Sequence, residues 1–162
     1  MFNYTPDREK NTLTIQREFS ADRARLWDYY TKQELLEQWF APQPMSTVTR
    51  SMDFREGGHW HYKMVDADGN EYWGMTQYKK IQPPGELSFS DAFCDENGTI
   101  NTAIPGADWR VTFTGKEDTT VVQSVLTFKS LADLEQVLEM GMEDGMKATY
   151  ATLDKLVSEQ TV

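Results

Sequence analysis

The stretch DFREGGHWHYKMVDADGNEYWGMTQYKKIQPPGELSF, residues 53–89, decides the architecture. From His59 to Val65 the residue types alternate. Trp60, Tyr62 and Met64 fall on one face, and His59, His61 and Lys63 on the other, as a half-buried strand requires. Asp66-Ala67-Asp68-Gly69-Asn70 has the composition of a hairpin turn. A second strand runs from about Glu71 to Ile81 and stops at Pro83-Pro84-Gly85, and Leu87 to Phe93 reads as a third. Glu56-Gly57-Gly58 is a turn preceded by a strand over 46–54. Successive strands joined by tight turns make an antiparallel sheet.

On the N-terminal side, TLTIQREF (12–19) alternates and gives a first strand, with residues 1–10 read as a frayed end. Ser20 is placed to cap a short helix, ADRARLWDYY. Thr31 and Glu34 have capping-box spacing, which starts a second short helix at Lys32, and Pro42 and Pro44 end it. On the C-terminal side, Trp109, Val111 and Phe113 alternate with polar residues, and Thr120 to Phe128 forms the last strand. Leu131, Leu134, Leu138, Met142, Met146, Tyr150, Leu153 and Leu156 recur at three- and four-residue spacing, so 131–157 reads as one long helix. The order is strand, two short helices, about six antiparallel strands, long helix. This is an α+β domain in which the helix covers one face of the sheet. Residues 10–159 form a single domain, with a frayed end again at 159–162.

Composition narrows the function. Sixteen basic against 26 acidic residues leave a net charge of −10, which argues against nucleic acid, because phosphate binding needs a basic footprint. No apolar run is long enough for a membrane helix, and MFNYTPDREK lacks the features of a secretory signal. Cys94 is the single cysteine and cannot form an internal disulfide. A cytoplasmic protein without cofactor is the expectation. Aromatics make up 12% of the chain beside eight Met, although mean hydropathy is −0.63. Large soft side chains on a polar background fill irregular interiors and also line adaptable pockets.

The residues that carry metal or acid–base chemistry give weak signals. Two histidines are too few for a zinc site, and their alternation points them outward to solvent. Asp66, Asp68 and Asn70 lack the downstream glutamate of a calcium loop. No catalytic residue is assigned and no metal is expected. The oddity is Met140-Gly141-Met142-Glu143-Asp144-Gly145-Met146. Gly141 and Gly145 continue the stripe of Leu134 and Leu138, although glycine inside a helix costs roughly 0.8–1.0 kcal/mol relative to alanine. Either the glycines permit close packing or break the helix near 140, or they leave an opening for a ligand with Met140, Met142 and Met146 around it.

These residues resemble a known pattern. Trp39-Phe40-Ala41-Pro42 is similar to a W-W-x-P element. Residues 53–89 match a central signature of Gly-Gly, aromatic strand, D-G turn and P-P turn, and Gly141–Met146 with Leu153–Leu156 resembles the closing helix. The family comprises homologues of the activator of the 90-kDa heat-shock-protein ATPase, within the SRPBCC or START-like superfamily that also holds polyketide cyclases and birch-pollen-allergen-like proteins. The resemblance covers residues 12–158. It implies a helix-grip fold: a curved antiparallel sheet of six to seven strands around the C-terminal helix, with a cavity between them. Family members bind lipids, flavonoid-like aromatics and polyketides. The candidate ligand-binding set is Trp39, Phe40, Trp60, Tyr62, Met64, Trp73, Met75, Phe89, Phe93, Trp109, Phe113, Gly141, Met142, Gly145, Met146 and Tyr150. Core packing is the commoner role for any one of them. As a group they exceed what a small core needs. Three functions are open: binding a small hydrophobic or aromatic molecule, cyclase- or aromatase-type catalysis, and interaction with a chaperone or other protein partner.

Overall fold

The computed structural model describes residues 2–158. Eight strands form one antiparallel sheet: β1 (Phe2–Asp7), β2 (Thr12–Phe19), β3 (Ser46–Asp53), β4 (His59–Val65), β5 (Glu71–Gln82), β6 (Glu86–Cys94), β7 (Ala107–Lys116) and β8 (Thr119–Thr127). Their order is β1-β2-β8-β7-β6-β5-β4-β3. Helices α1 (Arg23–Thr31) and α2 (Gln33–Leu36) follow β2, and α3 (Leu131–Glu139) and α4 (Met142–Ser158) close the chain. This is the α+β, helix-grip arrangement, with one strand more than the sequence reading gives.

The additional strand is β1, in residues expected to fray. Phe2 pairs with Arg17 and Pro6 with Leu13. Pro6 cannot donate to a ladder but is tolerated on an edge strand. The ring of Phe2 meets that of Tyr150 at 6.2 Å, so this segment is anchored by apolar contact. The expected frayed end at 159–162 lies outside the described residues.

Both helix starts differ from expectation. Asp22, not Ser20, caps α1: its carboxylate accepts from the Arg25 N–H at 2.9 Å. The Ser20 N–H donates to Asp154 on α4 at 3.1 Å. Thr31 ends α1, and its hydroxyl donates to the Trp27 carbonyl at 2.8 Å. It is therefore not free to cap α2, which starts without a side-chain cap. A capping-box spacing alone does not exclude this competing local bond.

The C-terminal helix is two helices. Gly141 has φ +77° and its N–H donates to the Leu138 carbonyl at 3.4 Å. A left-handed glycine just past the last turn is a standard helix stop. Beyond it, Tyr150, Leu153 and Val157 of α4 are fully buried, and α4 packs across β2. Arg25 on α1 donates to the Val157 and Leu156 carbonyls at 2.9 and 3.3 Å, holding the end of α4 at that side of the sheet.

The two glycines therefore predict opposite responses. Gly141→Ala places a side chain in the left-handed region and is expected to destabilise by about 1 kcal/mol. At Gly145 a Cβ meets nothing within 4 Å, so Gly145→Ala is expected to stabilise by about 0.5–1 kcal/mol through helix propensity. Urea denaturation of both variants checks the signs.

Candidate functional site

Side chains on the inner face of the sheet are ordered in rows by the ladder. Tyr62 pairs with Gly74 and Gly74 with Phe93. Trp60 pairs with Thr76, Thr76 with Asp91 and Asp91 with Ala107. Tyr78 pairs with Phe89, Phe89 with Trp109 and Trp109 with Leu126. The rows mix large rings with small residues. Gly74 is required: a Cβ there would stand 2.5 Å from the ring carbon Cζ and the hydroxyl of Tyr62. The irregularity in β5 falls between Tyr78 and Lys80, not at Gly74.

Between these rows and the first turns of α4 lies a pocket of about 300 Å3. The edge side is closed by Phe40, whose ring meets Trp60 at 4.8 Å and Tyr62 at 5.1 Å. Trp60 and Tyr62 stack at 4.1 Å. Trp39 is fixed by its indole N–H, which donates to the Tyr29 carbonyl at 2.9 Å. Phe89 and Trp109 stack at 5.5 Å on the opposite wall. Met142, Gly145, Met146, Thr149 and Tyr150 of α4 form the roof. Gly145 leaves its part of the roof open, because nothing lies within 4 Å of the missing Cβ.

Of the sequence candidates, Trp39, Phe40, Trp60, Tyr62, Met64, Phe89, Phe93, Trp109, Met142, Gly145, Met146 and Tyr150 border this pocket. Trp73 borders it as part of the β5 wall, but its ring packs against His61 at 5.1 Å beneath the Lys63 ammonium. Three candidates lie away from the pocket. Met75 does not border the pocket; it pairs with His61, and its terminal carbon is 3.2 Å from where a Gly98 Cβ would stand. Phe113 is core, edge-on to Trp27 at 5.5 Å and to Tyr30 at 5.1 Å. Gly141 is the exposed helix stop. Met140, expected near an opening, is 53% exposed. His61 points away from the inner face but is only 5% exposed; Asp95 and its turn cover it, and its Nε2 lies 3.0 Å from the Asp95 carbonyl.

The sequence reading missed Asp91, together with Tyr30, Thr76, Tyr78 and Thr149. The signal for Asp91 is present: in Leu87-Ser88-Phe89-Ser90-Asp91-Ala92-Phe93 it shares the face of Leu87, Phe89 and Phe93. Burial pushes its carboxyl up to about 6. The Ala107 N–H, donating at 2.9 Å, and the Trp109 indole pull the other way, and the Asp108 carboxylate adds to the rise. Burial also raises the Tyr62 and Tyr78 hydroxyls well above the usual phenol range, so both stay neutral donors. Tyr30 and Tyr150 are raised for the same first reason.

The other candidates for chemistry have structural roles. Asp66 accepts from the Asp68 and Asn70 N–H groups and from the Asn70 side chain, which organise the hairpin turn. Burial raises the Cys94 thiol, with Asp95 adding to it, so the reactive thiolate is scarce. Among the described residues, no group of three or more His, Cys, Asp or Glu side chains is arranged to hold a metal ion, and no helix is long and apolar enough to cross a membrane.

A curved antiparallel sheet gripping a C-terminal helix, with an aromatic pocket between them, defines the START-like helix-grip class. The chain belongs to the family of activator of Hsp90 ATPase homolog 1-like proteins, whose model matches residues 20–158. Among solved structures it is similar to protein Ms6760 from Mycobacterium smegmatis, at 31% identity over 99% of this chain and 98% of that one, with TM-score 0.89. A protein from Arthrobacter aurescens matches at 30% identity, 98% and 92% coverage and TM-score 0.91. One from Staphylococcus epidermidis matches at 30% identity, 98% and 96% coverage and TM-score 0.84. No curated protein matches.

The raised Asp91 carboxyl makes a signed prediction. The folded state holds this proton up to about pH 6, whereas the ordinary value is 3.8. Folding is therefore penalised by the ionised form above pH 6, and the penalty disappears as pH falls to 4. Asp91→Asn keeps an acceptor for the Ala107 N–H and removes the charge. It is expected to gain up to about 3 kcal/mol over the parent near pH 7 and nothing near pH 4. Urea midpoints of the two proteins across this range check it.

Proposed function

We propose that the protein binds a small hydrophobic or aromatic molecule in the pocket between the sheet and the first turns of α4. The observation that carries this reading is the open space beside Gly145, bordered by rings and thioethers. A core under selection only for stability would close that space, since unfilled volume costs stability. Here a glycine faces it instead, at a further cost in helix propensity. Binding is driven by removing ligand surface from water, at about 25 cal/mol per Å2. The neutral Tyr62 and Tyr78 hydroxyls supply hydrogen-bond donors, and Met142 and Met146 adapt to shape.

A second reading, a cyclase- or aromatase-type enzyme, draws support from Asp91. Such a reaction needs a group able to move a proton inside the pocket, and a carboxyl with a pKa of about 6 meets that need. Turnover of a polyketide-like substrate that stops in Asp91→Asn separates catalysis from binding alone.

Gly145→Leu fills the open space and Trp109→Ala removes one wall. Each is expected to weaken ligand binding at least tenfold, or about 1.4 kcal/mol, with the fold retained. A panel of lipids and polyphenols followed by NMR checks this. Absence of shifts at Trp109, Met142 and Met146 for every compound contradicts the reading.

A further inference from the structure

We propose that the Asp91 carboxylate is the polar anchor of this pocket, and that the molecule it selects is hydrophobic or aromatic with a protonated amine. The inference rests on the binding reading above and names the chemistry of its ligand. Among the described residues that border the pocket, Asp91 is the one charged side chain; Lys, Arg and His do not occur there. Its paired neighbours on both flanking strands are small, Thr76 on β5 and Ala107 on β7, so the carboxyl is not roofed by its own sheet. Oδ1 is engaged by the Ala107 N–H at 2.9 Å.

A carboxylate in an apolar enclosure is stabilised most by an opposite charge with hydrogen-bond donors. The protein offers no cation on this wall, and an ammonium group supplies one. Phe89 and Phe93 lie on the same face of β6, Trp109 acts on the carboxyl from the neighbouring β7, and the hydroxyl of Tyr62, on β4, feels the Asp91 charge. Aromatic faces around a carboxylate attract a cation through their quadrupoles. The net charge of −10 draws cations toward the protein as a whole. An anionic head group meets the same field and the same carboxylate as repulsion.

The groups facing Asp91 leave its protonation to govern binding. Tyr62 on β4, Tyr78 on β5, and Tyr30 and Tyr150 on the helices stay neutral. Cys94 on the same strand has a raised thiol. Asp108 on β7 is held ionised by Lys79 at 2.9 Å. Lys129 and Asp133 border a separate cleft beyond Pro105 and Gly106, which Asp91 also touches. Protonation of Asp91 in acid therefore removes the anchor.

The test uses three probes with one carbon skeleton, 4-phenylbutylamine, 4-phenylbutanol and 4-phenylbutanoate, titrated by calorimetry into the intact chain near pH 7.5. The amine is expected to bind at least about tenfold tighter than the alcohol, and the carboxylate at least about tenfold weaker. In Asp91→Asn the amine falls to the affinity of the alcohol. In the parent protein the amine loses its advantage as pH falls through about 6, a readout that stands even if the variant does not fold. If the alcohol binds as tightly as the amine, or if Asp91→Asn keeps the preference, the anchor is overturned while the apolar pocket stands. If none of the three binds the parent protein, both readings fall together.

Discussion

An antiparallel sheet of eight strands has one inner face to bury, and a single helix is too narrow to cover it. That mismatch governs the molecule. The second half of α4 seals the β2 side with Tyr150, Leu153 and Val157, all buried. Arg25 from α1 holds it at the Val157 carbonyl, and Arg17 from β2 and the Ser20 N–H hold it at Asp154. The first half of α4 reaches over β4 to β7 but carries Gly145 where a large side chain would close the gap. The pocket is what remains of the inner face after one end has been packed.

The two glycines of the closing segment divide the alternatives raised by their spacing. Gly141 ends a helix, by virtue of a positive φ, and frees α4 to take its own direction. Gly145 continues that helix and leaves space. Neither permits a close backbone approach, since a Cβ at either position meets nothing within 4 Å. Close backbone approach occurs instead at Gly58 and Gly106, while Gly74 lies under a side chain, the Tyr62 ring. One residue type thus serves as a helix stop, an opening and a platform, each defined by its surroundings.

Most of the architecture was legible in the sequence because strand alternation and helical periodicity are strong local signals. The order of elements and the face carrying Trp60, Tyr62 and Met64 follow from them. What was not legible depends on contacts between distant segments. β1 is ordered by Phe2 against Tyr150, 148 positions away in sequence, and no local pattern reports that. Trp73 and Met75 turned outward because Gly74 had to face Tyr62, a cross-strand constraint. His61 is covered by a turn that begins at Asp95. Asp91 was visible in the alternation of β6, but a search for apolar residues passes over a carboxylate on an apolar face.

The central claim is that the space beside Gly145 is hollow and apolar, which crystallography of the protein under xenon pressure tests directly. Xenon enters dry apolar cavities and reports their position as electron density. The account predicts a xenon site between Gly145 and the rings of Trp109 and Phe89, with the surrounding side chains unmoved. A lattice of side chains from Trp39, Phe40, Met142 and Met146 occupying that volume, with no xenon bound, would contradict it.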